Sequence, residues 1–204
     1  MQIKKDTIHA GVLAIAREEF LKKGFKDANM RVISRKAGVS LSNIYNYFSS
    51  KDALFQEVLA PTIAALGEII HEHNNKANLT IDIFESQEFI MKYTRLYMDL
   101  ILKHKGELRI LLFKSHGSSL EDFKERYIEL FTQTGLEYLL LMKERHPQIN
   151  IAVSDFFIHI MSSMWISILG ELVTHDLDRQ ELEKFISEYI VYGTAGWKKL
   201  MHVG

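Results

Sequence analysis

Apolar residues recur every three or four positions along most of the chain, which is the spacing of helices that bury one face. In the first segment they follow every four residues from Ile8 to Phe20. Gly24 with Phe25 then has the form of a C-terminal cap, in which the glycine turns the backbone and the next apolar residue packs back on the helix. The pattern therefore predicts a first helix that ends near Lys23.

Two short helices are predicted next. Asn29 can cap the second helix with its side chain, and Gly38 gives the permissive backbone that a tight turn needs. Ser40 can cap a third helix, Leu41 to Phe48, whose apolar residues again lie four apart.

A fourth helix is predicted to begin after Ser49 and Ser50 and to continue to about His73. Pro61 lies inside it. A proline within a helix removes a backbone hydrogen bond and collides with the preceding turn, at a cost of about 3 kcal/mol. We therefore expect a kink or a break near Ala60.

The rest of the chain is predicted to be helical, because no segment alternates apolar and polar residues for long enough to form a strand. The segments are 83–103, 106–115, 120–145, 151–175 and 178–202. The sequence thus predicts an all-α chain of about nine helices.

Composition excludes several classes of protein. Cysteine is absent, which excludes disulfides, thiol nucleophiles and thiolate metal sites. The N-terminus lacks the continuous apolar stretch of a signal peptide, so we expect a cytoplasmic protein. The longest uncharged apolar run, Phe156 to Gly170, is shorter than the roughly 20 residues that span a bilayer. We interpret it as a buried helix or a subunit interface and expect no membrane partner.

The second and third predicted helices, joined by Gly38-Val39-Ser40, have the spacing of a helix-turn-helix, which places its second helix in the DNA major groove. Helix pairs joined at a glycine are common, so this spacing alone is a weak indication. The third helix strengthens it. Apart from Ile44 and Phe48 it carries hydroxyls, amides and tyrosines, which can donate to phosphates and base edges, whereas a solvated face usually carries Lys and Glu.

The stretch from Val12 to Leu54, with its VLAIAREEFLKKGF, ISRKAGVSLSNIYNYF and SSKDAL, closely resembles the N-terminal domain of TetR-type (tetracycline-repressor-like) transcriptional regulators. The resemblance covers about a fifth of the chain. Asn29 stands where the family usually has a threonine cap, and Leu41 stands where a polar or basic residue is common. The resemblance implies a helix-turn-helix DNA-binding domain of residues 1–50 and a helical ligand-binding and dimerisation domain of residues 51–204.

The same resemblance implies DNA contacts for nine residues. Toward phosphates it places Arg31, Ser40, Tyr45, Tyr47 and Lys51, and toward the bases it places Leu41, Ser42, Asn43 and Asn46. Hydroxyls, lysines and helix N-termini are the usual phosphate partners, and an aliphatic side chain can pack on a thymine methyl. Packing between helices is the alternative for the two tyrosines, and plain exposure to solvent is the alternative for the two asparagines.

Helix-turn-helix proteins gain affinity as two-fold dimers on pseudo-palindromic double-stranded DNA, so we expect a homodimer. The last two helical segments are the candidate interface, because one is apolar on nearly every face and the other has small residues that let helices approach. The candidates are Phe156, Ile160, Ile168, Tyr189, Tyr192, Gly193, Gly196 and Trp197. The alternative is a buried helix pair within one subunit.

An unknown small-molecule effector is implied for the middle of the chain, where aromatic, Met and His side chains suit an apolar pocket with a few polar groups. The candidates are Tyr93, Tyr97, Met98, Phe113, His116, Phe123, Tyr127, Met161, Met164 and Trp165. Any of them can equally be plain core. By hypothesis the ligand moves the fourth helix and thereby releases a repressor from its operator. Pro61 is a candidate place for that helix to flex.

Two other classes of function compete. An enzyme is disfavoured because the sequence has no HExxH, Gly-rich phosphate loop or nucleophile elbow. His71 and His73, two apart, point to opposite sides of a helix, and we interpret them as surface residues. No metal or cofactor is expected. An interaction protein that has lost DNA binding would carry acidic or bulky substitutions on the third helix, and none is present.

The formal charge of −1, from 25 Lys+Arg and 26 Asp+Glu, argues weakly against nucleic acid until it is divided along the chain. Residues 1–60 hold ten basic and six acidic residues, a net of +4, and residues 61–204 hold fifteen and twenty, a net of −5. The basic excess thus lies where phosphate attraction would use it.

Overall fold

The computed structural model describes residues 2–203 of the chain, and the side chains of residues 6–203. The expectation about a signal peptide concerns the start of the chain, which lies partly outside these ranges. Across the described residues the chain is helical and has no strand, so the all-α prediction is confirmed, with eight α-helices rather than nine. They are α1 Gln2–Asp27, α2 Met30–Ala37, α3 Leu41–Tyr45, α4 Lys51–His73, α5 Gln87–Phe113, α6 Phe123–Arg145, α7 Asp155–Thr174 and α8 Arg179–Leu200. Two single-turn 3₁₀ helices, Lys76–Asn78 and Ile81–Phe84, lie between α4 and α5.

Regular helix in α1 is interrupted at Gly24, which has φ +76° and ψ 169°. This agrees with the predicted end near Lys23. The positive φ favours glycine, and it frees the N–H of Phe25 to donate to the carbonyl of Lys114 at 2.8 Å. A Cβ at position 24 would lie 3.4 Å from that carbonyl oxygen. Glycine therefore lets the end of α1 pair with the backbone that follows α5.

The predicted caps of α2 and α3 are present. The Asn29 side chain accepts from the N–H of Arg31, the Ser40 side chain accepts from the N–H of Asn43, and Gly38 has φ +67°. The predicted length of α3 is wrong, because it ends at Tyr45 and not at Phe48. Its last turn tightens.

The end of α3 is seen in its hydrogen bonds: Asn46 N–H bonds to both Ser42 and Asn43 carbonyls, and Tyr47 N–H bonds to the carbonyl of Ile44. Bonds that skip only three residues wind the chain too tightly for α-helix to continue.

Helix α4 continues through Pro61, so the predicted break does not occur. The carbonyl that loses its donor belongs to Glu57, four residues earlier, and both residues are exposed. Water can therefore bond that carbonyl. The predicted division of α5 between residues 103 and 106 is also wrong, because Gly106 lies inside one continuous helix.

The chain forms two compact units. The N-terminal unit comprises the chain up to Ala64 and residues His104–Phe123, and the C-terminal unit comprises Ala65–Lys103 and the chain from Lys124 onward. Helices α4 and α5 each contribute to both. This division differs from the boundary predicted after residue 50, because the first half of α4 packs with α1.

The core of the N-terminal unit explains that packing. The ring of Phe55 in α4 meets those of Phe20 and Phe25 edge-on, with centroids 4.9 Å apart in both pairs. Ile33 of α2 and Ile44 of α3 are fully buried, so both helices of the short pair contribute to the core.

The core of the C-terminal unit joins α6 and α7 through Tyr138, Leu139, Met142 and Ile158. By length and composition α4 and α7 are each apolar enough to cross a membrane, and 44% of each apolar window is buried in the structure. Core helices of soluble proteins pass the same test. The absence of a membrane partner stays a prediction.

Candidate nucleic-acid interface and ligand cavity

The α2-turn-α3 segment separates its apolar and polar residues by face. Ile33, Ile44 and Phe48 are buried, with at most 1% of each side chain exposed. None of the nine residues predicted to bind DNA is buried. Those that are exposed are Arg31, Ser40, Ser42, Tyr45 and Asn46, and those that are half-buried are Leu41, Asn43, Tyr47 and Lys51. The segment therefore offers a polar surface held in place by its apolar side.

Two serine hydroxyls lie within hydrogen-bond distance of each other at the start of α3. The Oγ atoms of Ser40 and Ser42 are 3.1 Å apart, and Ser40 Oγ also accepts from the N–H of Asn43 at 3.2 Å. Ser40 thus fixes the first turn of α3 and remains exposed.

The two tyrosines differ in their surroundings. Tyr45 is 45% exposed. The Tyr47 ring lies 5.9 Å from that of His9 and 6.3 Å from that of Phe48. His9 in turn stacks on Phe48 at 4.9 Å and places Nε2 2.8 Å from Oε1 of Glu57. Packing between helices, the alternative kept open from the sequence, therefore applies to Tyr47 more than to Tyr45.

The ammonium of Lys51 is directed into the protein. It donates to the carbonyl oxygens of Phe25 at 2.7 Å and of Lys26 and Ala28 at 3.2 Å each, and it lies 4.4 Å from the centre of the Phe25 ring. An ammonium has three N–H donors, so these bonds occupy all of them. The predicted phosphate contact would have to displace one, and the geometry favours Lys51 as a link between the end of α1 and the start of α4.

A cavity of about 240 Å³ lies in the C-terminal unit. It has 22 lining residues, ten of them Phe, Tyr or Trp, and no Asp, Glu, Lys or Arg. Half of the sequence-predicted effector candidates line it: Tyr93, Tyr97, Met161, Met164 and Trp165. The wall thus includes part of the predicted set.

The other five effector candidates do not line the cavity. Met98 and Tyr127 are buried in the core, where the Tyr127 hydroxyl donates to the carbonyl of Leu66 at 3.4 Å. Phe113, His116 and Phe123 belong to the N-terminal unit. Phe113 is 53% exposed and His116 lies near Glu121 at the surface, with 3.3 Å between the imidazole and the carboxylate. Residue type alone did not separate core and surface from the wall.

Four of the predicted dimer residues line the cavity instead: Tyr189, Tyr192, Gly193 and Trp197. Tyr192 is also 71% exposed, as is Phe156. Ile160 and Gly196 are exposed, and Ile168 is half-buried. Helix α8 therefore forms cavity wall and outer surface at once, and both α7 and α8 have exposed apolar side chains.

Several cavity residues were missed from the sequence. They are His73, Ile83, Phe84, Phe89, Phe131, Gly135, Tyr138, Leu139, Ile158, Ser162, Ile190, Thr194 and Met201. His73 was interpreted as a surface residue, yet burial lowers its pKa to about 4 and its ring lies 4.7 Å from that of Tyr138. Its position at the last turn of α4 did not indicate that its side chain lines the cavity.

Most hydroxyls of the wall are bonded within the protein. Tyr93 Oη accepts from the Asn78 amide at 2.9 Å, Tyr138 Oη donates to the Asn78 carbonyl at 3.1 Å, and Ser162 Oγ donates to the Ile158 carbonyl at 3.0 Å. The indole Nε1–H of Trp165 is different, because it is buried and has no hydrogen-bond partner among the described residues.

Comparisons with known proteins agree with this description. Residues 12–58 match the family model for bacterial regulatory proteins of the tetR family. Over 59 residues the chain is 34% identical to the HTH-type transcriptional regulator UidR of Escherichia coli K12, a match that covers 29% of this chain and only 30% of UidR.

Two solved structures share the fold along nearly the whole chain. NalD, the secondary repressor of the MexAB-OprM multidrug efflux pump in Pseudomonas aeruginosa, aligns with a TM-score of 0.64 at 18% identity, covering 93% of this chain and 96% of NalD. A TetR-like transcriptional regulator from Rhodococcus sp. RHA1 aligns with a TM-score of 0.60 at 16% identity and the same coverage of both chains. Residues 12–58 therefore carry the sequence pattern of the tetR family, and the described helices have a TetR-like fold.

Proposed function

We propose that this protein is a sequence-specific DNA-binding transcriptional regulator that acts as a homodimer and whose affinity for its operator is controlled by a small molecule in the cavity. One observation supports the DNA-binding role most directly. Helix α3 is held by Ile44 and Phe48 in the core, is capped by Ser40, and has hydroxyl, amide and phenol groups on its exposed side. Groups of that kind on the second helix of a helix-turn-helix contact phosphates and base edges in the major groove.

The proposed DNA contacts fall into two classes. Ser42, Asn43 and Asn46 would meet base edges, with Leu41 against a thymine methyl, because amides and hydroxyls can read the major groove. Ser40, Tyr45 and Arg31 would meet phosphates and set the register. We place Tyr47 and Lys51 behind this surface, on account of their contacts with His9, Phe48 and the α1 carbonyls.

The proposed dimer uses α7 and α8. Phe156 and Ile160 lie one turn apart on α7, and Val191 and Tyr192 are adjacent on α8; all four are between 41% and 71% exposed. Neighbouring apolar side chains on a surface favour a protein interface. One recognition helix reads only a few base pairs, so two copies in one complex are needed to select a site of operator length.

The proposed control by ligand rests on α4 and α5. These helices contribute His73, Tyr93 and Tyr97 to the cavity wall, and they also contribute residues of the N-terminal unit. A ligand that prefers one arrangement of the two helices would change operator affinity by its differential binding free energy. We infer a repressor, as NalD is described, acting in the cytoplasm, where it has access to DNA.

Selection of DNA from a random library by the purified protein tests this proposal. The expected result is enrichment of an inverted repeat whose half-site centres are one helical turn, about 34 to 36 Å, apart or a multiple of that. Affinity for the selected site should fall steeply with salt, because phosphate contacts release counterions. Enrichment of no sequence would count against the proposal.

A further inference from the structure

The cavity wall carries no formal charge. None of its 22 residues is Asp, Glu, Lys or Arg, and burial keeps His73 neutral near pH 7 because its pKa is about 4. An ionised ligand would leave its water shell without meeting an opposite charge, which is costly in an apolar site. This favours an uncharged ligand.

The size of the cavity limits the ligand further. Pockets for drug-sized molecules usually have about 300 to 1,000 Å³, and an apolar cavity of about 150 Å³ holds benzene. At about 240 Å³ the cavity lies between these values. A molecule of one or two fused rings fits this range.

Aromatic side chains surround one point of the wall. The Trp165 ring lies 4.6 Å from that of Tyr97 and 5.9 Å from that of Tyr189, and it is nearly parallel to the latter, at 21°. Flat rings pack against such surfaces with specific geometry and additional stabilisation. The shape therefore favours a planar ligand over a flexible chain.

One polar group at this point lacks a partner. Trp165 is 4% exposed, and its Nε1–H has no acceptor among the described residues, although buried donors are nearly always bonded. The hydroxyls of Tyr93, Tyr138 and Ser162, elsewhere on the same wall, are already bonded within the protein. A ligand acceptor placed here would satisfy the indole.

We propose that the effector is an uncharged, planar molecule of one or two rings that carries a hydrogen-bond acceptor, and that Trp165 donates its indole N–H to that acceptor. The proposal gives the chemical class of the ligand for the regulator proposed above and rests on that function. Trp165 sets specificity between molecules of equal shape, and the aromatic wall binds the ring.

Equilibrium dialysis of the full-length protein with three matched probes at pH 7.5 tests the proposal. 2-Acetylnaphthalene is neutral with an acceptor, 2-ethylnaphthalene is neutral without one, and 2-naphthoate is anionic. We expect 2-acetylnaphthalene to bind roughly tenfold more tightly than 2-ethylnaphthalene, the effect of one net hydrogen bond. The buried charge should weaken 2-naphthoate by roughly a hundredfold or more relative to 2-acetylnaphthalene.

Trp165→Phe keeps a ring and removes the N–H, so it should abolish the preference for 2-acetylnaphthalene while 2-ethylnaphthalene still binds. Trp197→Phe is the matched control, because Trp197 also lines the cavity and packs on Phe157 at 5.8 Å. It should change the affinities of both neutral probes by similar factors and leave the preference intact.

Three results would overturn the proposal: failure of 2-acetylnaphthalene to bind, equal binding of 2-naphthoate, or an unchanged acceptor preference in Trp165→Phe. Dialysis contains no DNA, and the selection of operator DNA contains no ligand. A failure of the ligand class is therefore distinguishable from a failure of the proposed DNA binding.

Discussion

The guanidinium of Arg17 in α1 makes two hydrogen bonds to the carboxylate of Glu107 in α5, from Nε to Oε1 and from Nη2 to Oε2, the latter at 3.2 Å. Burial of Glu107 acts to raise the pKa of its carboxyl, but the hydrogen bonds and charge of Arg17, with a backbone hydrogen bond, outweigh burial and leave that pKa below its ordinary value. The pair therefore stabilises the N-terminal unit while Glu107 is ionised.

This pair predicts a loss of stability in acid. A carboxyl whose pKa is lower in the folded than in the unfolded state contributes stability above the unfolded pKa, and the contribution is lost as pH falls through the folded value. Between about pH 5 and pH 3 the melting temperature of the wild type should therefore fall further than that of Glu107→Gln, whose side chain at position 107 cannot titrate. Glu137→Gln, at an exposed position, should follow the wild type. An equal fall in melting temperature for wild type and Glu107→Gln over this pH range would contradict the prediction.

Gly106 leaves room for this ion pair. A Cβ at position 106 would lie 2.5 Å from Nη2 of Arg17, so Gly106→Ala should displace the guanidinium from Glu107. Gly67 also lies inside a helix, but a Cβ there meets nothing within 4 Å. Gly67→Ala should gain about 0.5 to 1 kcal/mol in unfolding free energy from helix propensity alone. Urea unfolding should show a smaller gain, or a loss, for Gly106→Ala, and equal gains would argue against the displacement.

Lys51 is predicted to support stability. Lys51→Met keeps an aliphatic chain over Phe25 but removes the hydrogen bonds to the three carbonyls, so the unfolding free energy should fall by about 1 to 3 kcal/mol. Lys22→Met, at an exposed site of α1, is the control and should change it little. Thermal unfolding followed by circular dichroism measures both. A Lys51→Met protein that is as stable as the wild type but binds DNA more weakly would instead support the phosphate contact predicted from the sequence.

His73 predicts a second pH dependence, at higher pH. Its pKa is about 4 in the folded chain against an ordinary 6.5, because burial opposes the charged imidazolium. The unfolded chain then binds the proton more readily, so stability falls as pH drops from about 6.5 to about 4. His73→Phe should reduce this slope of melting temperature against pH, and His71→Phe, at an exposed position of the same helix, should not. Parallel slopes for wild type and His73→Phe would contradict it.

The sequence predicted best those features that depend on near neighbours. The caps at Asn29 and Ser40 and the turn at Gly38 each rest on residues two to five apart, and all are present. Ile44 and Phe48 are buried as their spacing indicated. Such short-range rules are set by backbone hydrogen bonding and need no knowledge of the fold.

Features set by distant partners could not be predicted in the same way. The predicted break between residues 103 and 106 put Gly106 at the start of a helix, whereas the contact that favours glycine there is with Arg17, 89 positions earlier. Lys51 is of a residue type that often contacts phosphates. Only the fold brings the three carbonyls of residues 25, 26 and 28 to its ammonium. The wall of the cavity joins α4, α5, α6, α7 and α8, so helical periodicity could not separate wall from core.

Fluorescence anisotropy with the selected DNA decides whether the exposed side of α3 binds the operator. Ser42→Ala/Asn46→Ala removes the exposed polar groups of Ser42 in α3 and of Asn46 at its C-cap. Gln133→Ala removes an exposed amide of α6 as the control. The double variant should lose roughly tenfold or more in operator affinity, keep its melting temperature, and bind unrelated DNA as the wild type does. Operator affinity equal to that of the wild type and of Gln133→Ala would contradict it.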